Sequence, residues 1–316
     1  MVALIATAAR AQGTQASQPL KGKTIAYIQT DAYDYYIYGT RGAQIAIQQL
    51  GGRTRVYNSA GDPQRELANV QDAITQKVDG IVLFPLTLAS EKSALRLAAR
   101  ANVPVVVLYG YDKSLEQLAV SFHQVDLVRY GQAIGMTARR MLPTGKMAII
   151  TGLKGRGDAE AYAKGFRLGF RGNARIVEEL DGKWSRQEAL KAAQDIITKH
   201  PDLKGLFVQN EDMAAGAISG LGAKARQVKV FAMNGSPAGL RLLRQGKIAA
   251  TVGLSPSAEA AMAVKSLSDH LAGKPPKVKL CNTPFAVNLP GRIRSVPWPP
   301  TQRTIAQALR TPCANQ

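Results

Sequence analysis

The stretch KTIAYIQTDAYDYYIYGTRGAQIAIQQL, residues 23–50, decides the fold prediction, because it runs from a short strand through a loop into a helix. Residues 24–28 are mostly apolar and β-prone, and residues 42–50 carry apolar side chains at helical spacing. Open α/β sheets bind ligands at the carboxyl ends of their parallel strands, so the intervening loop is a predicted ligand surface. Packing of a loop or an interface is the alternative role for its aromatic residues. The polar and aromatic loop residues are Asp31, Tyr33, Asp34, Tyr35, Tyr36 and Tyr38.

The rest of the chain repeats this alternation of strand and helix. Apolar strands are predicted at 54–57, 80–84 and 104–108, and a second series of strands and helices begins near residue 125. Strands that are apolar on both faces are typical of a parallel sheet covered by helices on both sides. A chain of 316 residues exceeds the usual size of a single core. The predicted fold class is therefore α/β, with two doubly wound parallel-sheet lobes.

The charge pattern and the composition argue against a nucleic-acid partner and against a membrane span. The formal net charge is +19, but lysine and arginine are scattered singly or in pairs rather than gathered in a stripe. Without a basic stripe or a nucleic-acid-binding motif, we expect no nucleic-acid partner. No apolar run reaches the roughly 18 residues that a membrane span requires.

Catalytic and metal-binding motifs are not apparent in the sequence. The histidines, His123, His200 and His270, are isolated from acidic or cysteine partners at metal-ligand spacing. The glycines at 152, 155 and 157 match neither a P-loop nor a dinucleotide fingerprint, and no G-x-S-x-G elbow occurs. We therefore expect a protein that is not an enzyme and that has no cofactor and no metal. An enzyme on a doubly wound scaffold is the competing hypothesis.

The N-terminal segment VALIATAARAQG is typical of the end of an export signal, with an A-x-A cleavage pattern at residues 9–11. Residues 1–20 are predicted to be a signal-peptide remnant or a disordered N-terminus, and the protein to be exported to a bacterial periplasm. In such an oxidising compartment Cys281 and Cys313 could form a disulfide. Two free thiols are the alternative.

Four segments carry a resemblance to a known family: ELANVQD at 66–72, DGIVLFP at 79–85, FVQNEDMAAGA at 207–217 and GKIAATV at 246–252. In their order and spacing they resemble the ribose- and galactose-type periplasmic solute-binding proteins of ABC importers, the type I binding-protein fold. The resemblance implies a three-strand hinge, with crossings between the lobes near 121–124, 252–255 and 283–287. The implied lobes are 21–122 plus 255–282, and 123–254 plus 283–316, the second including a proline-rich tail.

The resemblance also implies a ligand site between the lobes. Tyr36 and Trp184 would come from opposite lobes and sandwich the ligand, while Asp34 and Asn210 would supply directional hydrogen bonds. Tyr33, Tyr35 and Tyr38 are then left as lip or packing residues. The ligand-binding set implied in this way is Thr30, Asp34, Tyr36, Ile37, Phe84, Tyr109, Glu160, Trp184, Asn210, Asn234 and Leu254.

Several of these residues depart from the polar set that is usual in the sugar-binding members. Phe84 and Tyr109-Gly110 replace polar groups after the third and fourth strands, Glu160 stands near an arginine position, and Leu254 replaces a hinge-side glutamine. Unpaired buried hydroxyl groups cost about 1–3 kcal/mol, so fewer polar residues suit a ligand with fewer hydroxyls. A sugar or polyol is the main expectation, and an aromatic, nucleoside-like or cationic ligand is the alternative.

The predicted function is that of an exported binding protein that captures a small molecule and delivers it to an ABC permease in the membrane by hinge closure. A chemoreceptor or a sensor kinase is a further possible partner, and we expect a monomer. The effector-binding core of a lactose-repressor-type regulator is an alternative, since it resembles the same fold. Only about 22 residues precede Lys23, whereas a DNA-binding head needs roughly 50–60, which argues against a regulator.

Overall fold

The structure is a computed structural model and describes residues 18–154 and 157–313. Most of the predicted export signal, residues 1–17, lies outside the described residues. Among the described helices, none combines the length and the apolar character that a bilayer crossing requires.

The first lobe is built on a six-stranded parallel sheet with the strand order β11-β5-β4-β3-β1-β2. Strands β3 and β4, with the sequences GIVL and VVVL, are buried along their whole length. Helices cover both faces of the sheet, which is why these central strands have no polar face. The elements are β1 (Thr24–Gln29), α1 (Asp34–Gln49), β2 (Arg53–Asn58), α2 (Pro63–Thr75), β3 (Gly80–Leu83), α3 (Leu88–Arg100), β4 (Val105–Leu108), a 3₁₀ helix (Lys113–Leu118), β5 (Ser121–Gln124), α9 (Pro256–Leu271) and β11 (Leu280–Asn282).

The second lobe repeats this plan with the strand order β12-β10-β9-β8-β6-β7. Only the edge strand β12 is antiparallel to its neighbour in this six-stranded sheet. The elements are α4 (Leu127–Met141), β6 (Lys146–Thr151), α5 (Asp158–Gly169), β7 (Arg175–Asp181), α6 (Arg186–Lys199), β8 (Leu203–Val208), α7 (Glu211–Gly220), a 3₁₀ helix (Gly222–Arg226), β9 (Lys229–Asn234), α8 (Pro237–Arg244), β10 (Ala250–Gly253) and β12 (Ala286–Asn288). The predicted fold class, two doubly wound α/β lobes, is confirmed.

Local capping chemistry sets where several helices begin. Asp62 accepts a hydrogen bond from the backbone N–H of Gln64, and Pro63 takes the first helical position of α2. Ser236 and Ser255 cap α8 and α9 in the same way, each before a proline. Proline suits the first position because its missing N–H would have no partner inside the helix. These caps fix the point at which each strand-to-helix loop ends.

The chain passes between the lobes at the carboxyl ends of strands. Strand β5 ends at Gln124 and is followed by α4 of the second lobe, while β10 ends at Gly253 and is followed by α9 of the first. A third passage runs from β11 back to β12 through residues 283–285. These positions overlap the three crossings that the sequence predicts.

The C-terminal tail differs from the predicted division into lobes. The sequence places all of residues 283–316 in the second lobe, whereas the last helix, α10 (Gln302–Ala308), packs on the first. Its Ile305 and Ala308 are buried in the core that contains Ile47 and Leu267. The sulfurs of Cys281 and Cys313 are bonded, which ties the end of the tail to β11. The apolar face of α10 accounts for this return, because it has only the α1 and α9 surface to bury it.

A close helix contact holds the second lobe together beside the cleft. A Cβ atom added at Gly165 in α5 would lie 2.0 Å from the backbone oxygen of Val128 at the start of α4. The two helices therefore approach to backbone contact, and Gly165 permits it together with Gly131, Gly135 and Gly169.

We expect Gly165→Ala to destabilise the protein by about 1–3 kcal/mol or more, because the helices must separate to admit the methyl group. Gly172→Ala is the matched control, since its added Cβ would meet only ordinary contacts at 3.5 Å and beyond. Urea unfolding of both variants measures the difference. Equal stabilities would show that α4 and α5 accommodate the methyl group by a shift without cost.

Replacing both cysteines by serine should lower the free energy of unfolding by about 3–4 kcal/mol on chain-entropy grounds, because the bond closes a loop of 32 residues. Thermal unfolding of the double variant beside the wild type tests this. Mass measurement of the non-reduced, alkylated wild type is the control for the bond itself. Two alkylated thiols in the native protein would contradict the bonded state.

Candidate ligand-binding cleft

The two sheets turn their carboxyl edges towards each other. Because β5 and β10 both enter the opposite lobe directly after their last residues, the carboxyl ends of both parallel sheets lie at the junction. The loops that follow β1, β3 and β4 of the first lobe, and β6, β8 and β9 of the second, therefore line the same cleft. This is the edge at which open α/β sheets bind ligands.

Five aromatic side chains form a cluster at this junction, and we call Tyr35, Tyr36, Phe84, Tyr109 and Trp298 the aromatic cluster. Tyr35 lies at its centre, with its ring edge-on to the other four at centroid distances of 5.3–6.1 Å. Phe84 and Tyr109 stack face to face at 5.4 Å. Edge-to-face and stacked pairs of this kind fix the orientation of each ring.

Tyr35 and Tyr109 also contact the core of the second lobe. Across the junction from them is Tyr162 of α5, which is 7% exposed and 5.8 Å from the ring of Tyr130. Tyr130 donates a hydrogen bond of 2.9 Å to the carbonyl of Val252, just before the second passage between the lobes. The aromatic cluster thus joins the two lobes rather than belonging to one.

Trp184 lies on the second lobe, in the loop between β7 and α6. The backbone at Trp184 is left-handed, with φ of 58°, and its half-buried side chain packs against both cores of that lobe. A Cβ atom at Gly152 would lie 2.0 Å from Cζ2 of the indole, so this glycine makes room for the ring. Gly152 follows β6 directly, which places Trp184 at the carboxyl edge of the second sheet.

The structure brings four of the predicted site residues of the first lobe together. Thr30 donates a 3.1 Å hydrogen bond to the carbonyl of Phe84, joining the ends of β1 and β3. Tyr36 contacts Phe84 edge-on at 5.0 Å, and Phe84 stacks on Tyr109. Asp34 is exposed at the first position of α1, and Ile37 is half-buried one turn further on.

The predicted residues of the second lobe have structural roles at the same edge. Asn210 caps α7 by accepting a 2.6 Å hydrogen bond from the backbone N–H of Met213. Asn234 has φ of 107°, and its carbonyl accepts from Nε1 of Trp298. The carbonyl of Leu254 accepts from the same indole, while its side chain is buried in the core.

Glu160 is placed away from the aromatic cluster. Its side chain is exposed, and Oε2 accepts a hydrogen bond from the backbone N–H of Gly157 at the start of α5. It borders a surface depression together with Lys164 and Arg167, which follow at helical spacing. Tyr162, two residues further on, lies on the buried face instead. Two residues along a helix rotate by about 200°, so the predicted carboxylate and the residue that faces the cleft lie on opposite faces of α5.

A buried carboxyl group lies behind Tyr35. Glu259 in the first turn of α9 is 1% exposed and accepts hydrogen bonds from the hydroxyls of Tyr35 at 2.9 Å and Thr283 at 2.6 Å. Burial raises the pKa of Glu259 to about 8, so the carboxyl group is mostly protonated at neutral pH. Burial and the neighbouring Glu259 raise the pKa of Tyr35 well above its usual value. This wall of the cleft is therefore polar but uncharged.

One group of potential metal ligands occurs among the described residues: His123, Cys281 and Cys313. The two sulfurs are joined to each other, so neither is a thiolate that could ligate a metal. His123 is fully buried, its Nε2 lies 3.0 Å from Oγ of Ser266, and burial lowers its pKa to about 3. This neutral histidine lies beside the disulfide, one residue before the carboxyl end of β5.

Sequence reasoning missed four residues of the site: Tyr35, Tyr162, Glu259 and Trp298. Tyr35 was visible in the opening loop, but the resemblance assigned its neighbours to the ligand. Trp298 stands in a proline-rich tail, whose composition indicates only an extended segment. Glu259 follows Ser255-Pro256, where a carboxylate ordinarily interacts with the helix dipole in solvent. Only its burial distinguishes it from such a residue.

Comparison with known proteins agrees with this geometry. Residues 16–275 match the family described as periplasmic binding protein domain. The ribose import binding protein of Escherichia coli (strain K12) is 26% identical over 283 residues, which cover 88% of this chain and 95% of that protein.

Two solved structures have the same fold. An ABC transporter periplasmic solute binding protein from Actinobacillus succinogenes 130z with bound D-allose superposes with a TM-score of 0.79 at 23% identity, covering 85% of this chain and 98% of that one. An ABC transporter solute binding protein from Mycobacterium smegmatis with bound glycerol gives 0.77 at 26% identity, covering 93% and 99%. With the family match extending over most of both lobes, the chain belongs to the periplasmic binding protein domain family.

Proposed function

We propose that this protein binds a sugar or a polyol between its two lobes and delivers it to an ABC importer. The observation that carries the proposal is the aromatic cluster, because Tyr35 and Tyr109 contact the cores of both lobes at the carboxyl edges of the sheets. The family supports a binding role, and the similar proteins named above include a ribose import binding protein and solute binding proteins solved with bound D-allose and with bound glycerol.

The chemistry of the cleft suits a neutral ligand with an apolar face. Tyr36 and Phe84 from the first lobe, and Trp184 from the second, offer ring faces on which the C–H groups of a sugar pack. The protonated Glu259 and the Tyr35 hydroxyl keep this wall free of net charge. Hydroxyl groups of the ligand then find hydrogen-bond partners in Asp34 and in the amide groups of Asn210 and Asn234, which lie at the ends of β8 and β9.

Closure of the lobes about the hinge is the change by which a permease distinguishes the ligand-bound protein from the free protein. A ligand stabilises the closed state only through contacts that it makes better there than in an open state. Groups from both lobes must therefore contact it, and Tyr36 and Trp184 serve as the two platforms. The rotation takes place about the passages at 125–126, 254–255 and 283–285, which are short and leave the sheets intact.

The proposed location is the periplasm, and the proposed partner is a permease in the membrane. The protein acts in the periplasm after export, as a monomer, and a permease in the membrane receives the ligand from the closed form. A chemoreceptor or a sensor kinase is a second receiver of the same closed form, since either would recognise the shape that ligand binding produces.

A thermal-shift screen of the purified protein tests the ligand class. D-ribose, D-allose, glycerol and myo-inositol form one arm, and adenosine and benzoate form the other. Ligand at about 100 times its Kd stabilises a protein by about 2.7 kcal/mol, which raises Tm by several degrees. We expect such a shift from at least one sugar or polyol. Stabilisation by adenosine or benzoate alone would contradict the proposed class.

We expect Trp184→Ala to weaken binding of the sugar or polyol found in that screen by about tenfold or more, or about 1.4 kcal/mol, because a stacking face is lost. Trp184→Phe keeps an aromatic face and should retain most of the affinity. Leu67→Ala, at an exposed position within α2 rather than in a cleft-lining loop, is the control. Calorimetric titration measures all three, and an unchanged Kd for Trp184→Ala would remove this residue from the site.

A further inference from the structure

The C-terminal tail forms a fourth connection between the lobes, which we call the strap and define as residues 289–301. It begins after β12 in the second lobe and ends at α10, which packs on the first lobe. The other three passages of the chain between the lobes consist of only a few residues each. The strap is longer, and its contacts with the two lobes determine whether it restricts their relative rotation.

The strap is fixed at its second-lobe end. The fully buried Asn288 accepts hydrogen bonds from the backbone N–H groups of Arg294 at 2.8 Å and Ser295 at 2.9 Å. Its amide nitrogen donates to Oγ of Ser295 at 2.8 Å. A single buried side chain thus folds the start of the strap against the sheet.

The middle of the strap binds the hinge itself. The hydroxyls of Ser255 and Ser257 donate to the carbonyls of Pro297 at 2.9 Å and Trp298 at 2.8 Å. Nε1 of Trp298 lies 3.0 Å from the carbonyl of Asn234 and 2.8 Å from that of Leu254. Asn234 ends a strand of the second lobe, whereas Ser257 lies in a helix of the first. Trp298 therefore bonds the second lobe through its indole N–H and the first lobe through its own carbonyl, which accepts from Ser257.

Trp298 also reaches the cleft. Its ring is edge-on to Tyr35 at 5.3 Å and to Tyr38 at 6.0 Å. Tyr35 is in turn bonded to Glu259, which accepts from Thr283 in the third passage. A continuous set of contacts therefore runs from the second passage through Trp298 and Tyr35 to the third passage.

Trp298 is buried at the hinge. Its side chain is 3% exposed, and its neighbours include hinge carbonyls and cleft tyrosines. Buried indole N–H groups need an acceptor, and here both acceptors are carbonyls of the second lobe, since Leu254 directly follows β10 and its N–H bonds the carbonyl of Asn234. The ring itself contacts Tyr35 and Tyr38 of the first lobe, so rotation of the lobes separates the two sets of partners.

We propose that Trp298 is a positioning residue of the binding cleft, which orients Tyr35 and holds the two lobes in the closed arrangement through the strap. The role in binding rests on the proposed function. The mechanical part does not, because the contacts join residues of this chain to one another. Opening the lobes separates the Nε1 acceptors of the second lobe from Tyr35 and Ser257 of the first, so Trp298 must lose one of these sets of contacts and the strap raises the population of closed molecules.

Distances between the lobes in the ligand-free protein test this directly. Spin labels are attached at Ala89→Cys and Leu153→Cys, which are exposed positions after β3 and β6 on opposite lobes. Pulsed electron paramagnetic resonance then measures the distance between the two labels. The native cysteines are bonded to each other and do not take up label. We expect a narrow distribution for this labelled background, and a broader one centred at longer distance when Trp298→Ala is added.

Two further variants separate positioning from folding. Trp298→Phe keeps a ring beside Tyr35 but loses both Nε1 hydrogen bonds, and should give an intermediate distribution. Val296→Ala, at a 41% exposed position of the same strap, should leave the distribution unchanged. If Trp298→Ala fails to fold, Trp298→Phe decides the outcome.

The proposal is overturned if folded Trp298→Ala and Trp298→Phe both keep the interlobe distances of the background, even if Tm falls, because a merely structural tryptophan would change only Tm. The measurement uses no ligand, so it stands whatever the thermal-shift screen finds. If the protein binds no sugar or polyol in that screen but Trp298→Ala still lengthens the interlobe distance, the proposed function is refuted and the role of the strap is supported.

Discussion

Both lobes depend on one constraint, which is that all strands of a parallel sheet end at the same edge. Because β5 and β10 each pass into the opposite lobe from that edge, the two edges must face each other. Every loop that follows a parallel strand then lies near the junction, whatever its sequence. The cleft is thus a consequence of topology, and the side chains of Tyr35, Phe84, Tyr109 and Trp184 give it a chemical character.

The distribution of charge follows from the same arrangement. The formal net charge is +19, whereas the carboxyl groups buried near the cleft edges have raised pKa values because burial disfavours their charged form. Burial raises the pKa of Glu259 to about 8 and that of Glu211 to about 7. Glu211 accepts from the N–H of Gly235 and the hydroxyl of Thr251, so it joins the loop after β9 to β10. Both carboxyl groups join separate segments of the chain through hydrogen bonds.

The tail shows how a binding protein can gain a constraint without changing its sheets. Three passages between lobes leave rotation to a few backbone torsions. A fourth, anchored at Asn288 on one side and at α10 and the disulfide on the other, adds contacts that depend on the angle between the lobes. Trp298 connects this constraint to the aromatic cluster through its edge-on contact with Tyr35.

The order of apolar strands and capped helices determined the two-lobe α/β fold, because strand burial and helix capping are local properties that the sequence displays directly. The resemblance likewise indicated the cleft and several of its residues, Tyr36 and Phe84 among them. Tertiary structure alone decided that Tyr35 is central, that Glu160 faces outward and that the tail returns to the first lobe. Tyr35 and its partner Glu259 are 224 positions apart, and no local pattern records a contact over that separation. Their meeting depends on the packing of α1 against α9, which exists only once the first lobe has folded.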